Sequence, residues 1–154
     1  MSGESLQDRY TPKGTCFGCG PTNTQGLRIK SFEAGDELVC EWTPQKHHEA
    51  YPGILSGGIC GTLLDCHSNM AAAHCLRTEG EIDGPLFTVT AEFHVKLLRP
   101  TPIDGPVTIR ARVVESSGRK VLVDASLEAN GSVTATCHGV FVAVREGHPA
   151  YHGW

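Results

Sequence analysis

Through the second half of the chain, hydrophobic and polar residues alternate with a period of two. Residues 86–98 place Phe87, Val89, Ala91, Phe93, Val95 and Leu97 on one side and Thr88, Thr90, Glu92, His94 and Lys96 on the other. That alternation predicts a half-buried strand. Val107, Ile109, Ala111 and Val113 repeat it, followed by Val121, Val123, Ala125 and Leu127, and then by Val133, Ala135, Cys137, Phe141 and Ala143. The joints are Ser117-Gly118 and Asn130-Gly131, and the second is a strong hairpin signal because both residues tolerate the positive φ of a tight turn. Upstream, 26–33 (GLRIKSFE) and 36–43 (DELVCEWT) flank Ala34-Gly35 and predict a further hairpin. Between these two β regions the period changes. From Gly57 to about Leu76, Ile59, Leu63, Cys66, Met70 and Ala73 recur at helical spacing and Leu64 and Ala71 widen the stripe. Gly58, Thr62, Asp65 and Asn69 form a second face of small and polar residues, so the helix is expected between two surfaces.

Two strands, one long helix and four antiparallel strands have one economical arrangement, an α+β domain whose sheet of about six strands curls around the helix. Residues 1–25 are expected as an irregular arm laid on that domain, 26–146 as the domain itself and 147–154 as a tail. The segment 44–56 is polar, contains Pro52-Gly53 and reads as a loop leading into the helix.

With 154 residues the chain is long enough for one domain with a real core. Its net charge of −4, with no long run of Lys or Arg, argues against nucleic acid as a partner. No apolar stretch approaches a membrane span, and the first residues lack the basic and apolar regions of a secretory signal. The seven cysteines are an odd number and several occupy apolar positions, so reduced thiols in a cytoplasmic protein are expected.

The candidate chemistry lies at the helix start. Gly57-Gly58 offer unpaired N–H groups at the positive end of the helix dipole, and without a Cβ they let a carbonyl oxygen approach closely. Asp65 follows Gly58 by seven residues, which returns it to the same face about 10 Å further along the axis. An oxyanion-binding helix start and a carboxylate base are two parts of an acyl-transfer site. At that separation one helix cannot use both on the same atom, so the partner group is expected from a second subunit.

Four segments carry a family resemblance: 16–29 (CFGCGPTNTQGLRI), 48–65 (HEAYPGILSGGICGTLLD), 90–100 (TAEFHVKLLRP) and 118–125 (GRKVLVDA). In this order they resemble the PaaI-like acyl-CoA thioesterases of the hotdog fold. The resemblance implies thioester hydrolysis, with Asp65 as general base or nucleophile and the amides of Gly57 and Gly58 as the oxyanion hole. It further implies Thr90 orienting water or base, His48 as the motif histidine, no cofactor, and a homodimer that pairs further into a dimer of dimers. Gly57 and Gly58 of one chain would then face Asp65 and Thr90 of the other. Ser56 replaces the family's histidine before the two glycines; serine is a strong helix N-cap, but it lacks the companions of a serine nucleophile.

A pocket floor is expected from Thr62, Asn69 and Met70 with Tyr51 and Ile54, and the phosphates of CoA would fall to Arg99, Arg119 and Lys120. Cys16 and Cys19 form one CxxC pair, which brings two ligands where zinc needs more, and the segment reads as a structural turn rather than a metal site. The alternative is a non-catalytic or weakly active acyl-CoA-binding hotdog protein. A hydratase needs an Asp and His pair, and His67, the histidine nearest Asp65, is expected to point elsewhere.

Overall fold

The computed structural model describes residues 3–153; residues 1, 2 and 154 of the expected arm and tail lie outside them. The strands are β1 (Phe32–Ala34), β2 (Glu37–Trp42), β3 (Glu49–Tyr51), β4 (Ile54–Leu55), β5 (Thr88–Leu97), β6 (Val107–Ser117), β7 (Lys120–Ala129) and β8 (Ser132–Ala143). The helices are α1 (Leu6–Tyr10) and α2 (Gly57–Glu79). Six strands form one antiparallel sheet in the order β1-β2-β6-β7-β8-β5, and β3 and β4 make a small hairpin in the loop before α2. The sheet packs around α2, and Val107, Ile109, Val121, Val123, Leu127, Ala135 and Phe141 on its inner face are buried against Leu63, Leu64, Met70 and Leu76 of the helix. At roughly 25 cal/mol per Å² of apolar surface removed from water, this interface is the main source of stability.

Three departures from the sequence pattern matter. Residues 26–31 do not extend the first hairpin. Arg28 takes φ 56°, and the segment's amides turn to the arm instead, Leu27 N–H donating to the Phe17 carbonyl and Ile29 N–H to the Gly18 carbonyl. The arm is also not irregular throughout. Ser5 caps α1 by accepting from the Asp8 amide, and Leu6 and Gln7 are fully enclosed. Gln7 bonds Ser31, whose hydroxyl lies 2.8 Å from His67 Nδ1, while His67 Nε2 lies 3.0 Å from the Leu38 carbonyl oxygen. Burial pushes His67 down to about 4. The neutral ring therefore donates to Leu38 from Nε2 and accepts the Ser31 hydroxyl at Nδ1.

The third departure is in β5. Its pairing with β8 shifts register between Thr90 and Glu92, so Ala91 is a bulge and the alternation changes parity there. Thr88 and Thr90 face the helix before the bulge, and Phe93, Val95 and Leu97 face it afterwards. The single alternating row expected from the sequence is therefore split in two.

Candidate active site

Asp65 projects from α2 toward β5, where the Thr90 hydroxyl donates a hydrogen bond of 2.6 Å to Asp65 Oδ1. The pairing follows from the bulge, which lets Thr90 point inward while Phe93 still covers the helix near Gly61. The carboxyl is half-buried, and that burial raises its pKa above the ordinary aspartate value, against the lowering effect of the Thr90 hydrogen bond. A carboxylate raised in this way and held in one orientation is suited to take a proton from water.

At the start of α2 the Ile59 and Cys60 amides both bond back to the Ser56 carbonyl, each at 3.0 Å. The amides of Gly57 and Gly58 come before these bonds, at the unpaired end of the helix. A Cβ on Gly58 would meet only the Ser56 hydroxyl, at 3.6 Å, so the space over this amide is open. Ser56 stands at the N-cap position, but its hydroxyl makes no capping bond. The strong cap expected of this serine is absent, and its hydroxyl is left facing the open glycine turn.

His48 contributes through its backbone and one ring nitrogen. Its carbonyl accepts the Ser56 amide at 2.9 Å, and its Nδ1 accepts the Gln45 amide at 2.9 Å. It therefore builds the loop that delivers the glycines. Tyr51 is exposed and lines, with Ile54, Gly57, Cys60, Leu97 and Arg99, a cavity of about 360 Å³ beside the glycine turn. Thr62 turns its hydroxyl back onto the Gly58 carbonyl at 3.0 Å. Asn69 and Met70 are buried and do not line this cavity; the Asn69 amide nitrogen donates to the Thr88 carbonyl at 3.3 Å.

The three expected phosphate ligands are not brought together within one chain. Arg99 lies beyond the end of β5, which pairs with the beginning of β8, and Lys120 pairs with Val142 near the end of β8. The Arg119 guanidinium donates to the Val144 carbonyl at 3.2 Å.

Periodicity gave no sign of two other features. β5 is an edge strand, and Phe93 (42% exposed) and Leu97 (58%) turn toward the helix yet remain uncovered. Cys66, one residue after Asp65, meets the CxxC loop: its Sγ is 3.9 Å from Cys16 Sγ, and the sulfurs of Cys16, Cys19 and Cys66 all lie within 4.8 Å of one another. The two-ligand reading of Cys16 and Cys19 thus gains a third sulfur. Hydrogen bonds from the Cys19 and Cys66 thiols hold Cys16 well below the usual thiol range, with the Cys19 and Gly18 amides adding to the effect.

A sequence profile of the thioesterase superfamily matches residues 52–136, more than half of the chain and the stretch that holds Gly57, Asp65 and Thr90. The chain belongs to this superfamily. A protein of Saccharolobus solfataricus with a provisional esterase name is 34% identical over 96 residues, 61% of this chain and 58% of that protein. Acyl-coenzyme A thioesterase THEM4 of Rattus norvegicus is 24% identical over 102 residues, 66% of this chain and 40% of that protein. The chain thus spans about half the length of these two relatives. A thioesterase of Haemophilus influenzae superposes with a TM-score of 0.73 at 14% identity, covering 96% of this chain and 97% of its own. The fold is the hotdog fold. Among the described residues, no helix is long and apolar enough to cross a membrane.

Proposed function

We propose that this protein hydrolyses acyl-CoA thioesters in a homodimer, each site taking Asp65 and Thr90 from one chain and the Gly57 and Gly58 amides from the other. The 2.6 Å bond from Thr90 to Asp65 carries the reading, because it fixes a half-buried carboxylate on the helix that also presents the open glycine turn. The seven residues between Gly58 and Asp65 lie in one unbroken helix, which separates the two groups by about 10 Å. A thioester carbonyl held by the glycines is therefore out of reach of Asp65 in the same chain. The uncovered Phe93 and Leu97 on the edge strand support a second copy packing there, which would bring the missing half of each site.

In the reaction Asp65, ionised and oriented through Oδ1, accepts a proton from water at Oδ2. The water oxygen attacks the thioester carbon, and the carbonyl π electrons move to oxygen, where the two glycine amides stabilise the negative charge. Collapse of this intermediate breaks the C–S bond. The electron pair leaves with the CoA sulfur, which takes up the proton held by Asp65, giving a free acid and CoA thiol. The oxyanion donors would contribute ~10²–10³-fold and the base ~10²–10⁴-fold. The THEM4 relative supports CoA as the carrier, and Arg99 beside the glycine turn is a candidate for its phosphates. All seven cysteines are unpaired, which favours a reducing compartment such as the cytoplasm.

The test is thiol release from acyl-CoAs of varied chain length and aromaticity, with wild type and Asp65→Asn. Wild-type turnover that is lost in the variant, with unfolding unchanged, is the expected result. Equal turnover in both proteins would sink the assignment to Asp65. A wild type that binds acyl-CoA without releasing thiol would select the binding-only alternative.

A further inference from the structure

We propose that Cys16, Cys19 and Cys66 form a zinc site that ties the N-terminal loop to α2 beside Asp65. The three sulfurs converge from two segments far apart in the chain, all within 4.8 Å of one another and with Cys16 and Cys66 at 3.9 Å. In a tetrahedral site with Zn–S of about 2.3 Å, neighbouring sulfurs stand roughly 3.8 Å apart. Cys16 and Cys66 already have nearly that spacing, whereas a disulfide needs about 2.05 Å and would leave one of the three sulfurs unused. Thiolate donors select thiophilic cations, and three of them around one point suit zinc.

The loop is shaped around these sulfurs. A Cβ on Gly18 would run into the Cys66 sulfur, and one on Gly20 would run into the backbone of Thr15 and Cys16, so both glycines of Cys16-Phe-Gly-Cys19-Gly are required by the close approach. Gly20 N–H closes the turn on the Cys16 carbonyl at 2.9 Å. Cys19 is buried and Cys16 exposed. A cavity of about 240 Å³, lined by Thr11, Thr15 and Gly20 besides Cys16 and Cys19, opens beside two of the three sulfurs, and a water there would be the fourth ligand.

On binding, each remaining S–H bond is replaced by an S–Zn bond and its proton passes to solvent; no oxidant or reductant takes part. The ion would cross-link residues fifty positions apart in sequence, and a ligand bound only by the folded state stabilises it by mass action.

The test is independent of thioester hydrolysis. Reduced wild-type protein, stripped with chelator and dialysed, is titrated with Zn²⁺ and, in parallel, with Co²⁺, alongside Cys16→Ser, Cys19→Ser and a Cys75→Ser control. The expected result is one zinc per chain by elemental analysis and the sulfur-to-cobalt charge-transfer bands of a four-coordinate ion. Both should persist in Cys75→Ser and be lost in Cys16→Ser, whose side chain is exposed and whose replacement leaves the core intact. Chelator should lower the unfolding temperature of zinc-loaded wild type but not of Cys16→Ser. Equal metal content in wild type and Cys16→Ser, or no cobalt–sulfur absorption in wild type, would overturn the proposal. So would non-reducing peptide mapping that finds Cys16 joined to Cys19 or Cys66 in metal-free protein as isolated, which would make the cluster a redox pair.

Discussion

The two halves of α2 share one helix and one sheet but have opposite surroundings. From Ser56 to Thr62, Cys60 apart, and again at Asp65 the helix is open or half-buried, and the β5 residues beside it, Phe93 and Leu97, are exposed. From His67 to Ala73 every residue is buried. The second half is enclosed because the chain before the sheet returns to cover it: α1, Ser31 and the Tyr10 hydroxyl, 2.8 Å from His74 Nδ1, close the side the sheet leaves open. Among the described residues, the loop at Gly18 reaches the first half at Thr62 and Cys66 but leaves Gly58 exposed and Asp65 half-buried. The proposed chemistry and the proposed assembly thus both fall where the monomer's core is unfinished, and its buried packing where it is closed.

The contrast is broken most sharply by one substitution at an open position of α2 and one at a buried position. Asp65→Asn should reduce thioester turnover by ~10²–10⁴-fold while leaving the thermal midpoint nearly unchanged, as read by thiol release and calorimetry. Leu63→Ala, at a residue with no exposure, should cost about 2–5 kcal/mol of unfolding free energy in urea titration. His67→Leu removes both hydrogen bonds of the buried ring and strands the Leu38 carbonyl. It should cost about 1–3 kcal/mol by the same titration, with Asp65 chemistry affected only in proportion to the unfolded fraction. A smaller effect is expected from Thr90→Val, which keeps the shape and removes the donor to Asp65 Oδ1; steady-state kinetics should find kcat about tenfold lower. Smallest is Ser56→Ala. A working N-cap is worth ~1 kcal/mol, but this hydroxyl caps nothing, so the denaturant midpoint should correspond to a change within about 0.5 kcal/mol. A full cap-sized loss would contradict the geometry of the helix start.

Much of this architecture is legible in the sequence. The helical period over α2, the alternation in β6, β7 and β8, and the Asn130-Gly131 turn are local signals, and the strands and helix lie close to where they predict. The spacing of Gly58 and Asp65 is also readable, since seven residues of helix have one length. Other expectations fail where the deciding partner is distant. Residues 26–31 alternate like a strand but give their amides to the Phe17 and Gly18 carbonyls. Asn69 has the polarity of a pocket residue but faces the Thr88 carbonyl in the core. Arg119 reads as a free cation but is engaged by the carbonyl of Val144.

By itself, then, the sequence determined the elements and the linear order of the candidate groups, because helix and strand periods arise from backbone geometry within a few residues. Tertiary structure alone decided which of those groups meet. The bulge at Ala91 turns Thr90 onto Asp65, an edge strand leaves Phe93 and Leu97 uncovered, and the loop at Gly18 sets Cys16 and Cys19 against Cys66. These outcomes depend on register and on packing between segments far apart in the chain, and no local period encodes either one.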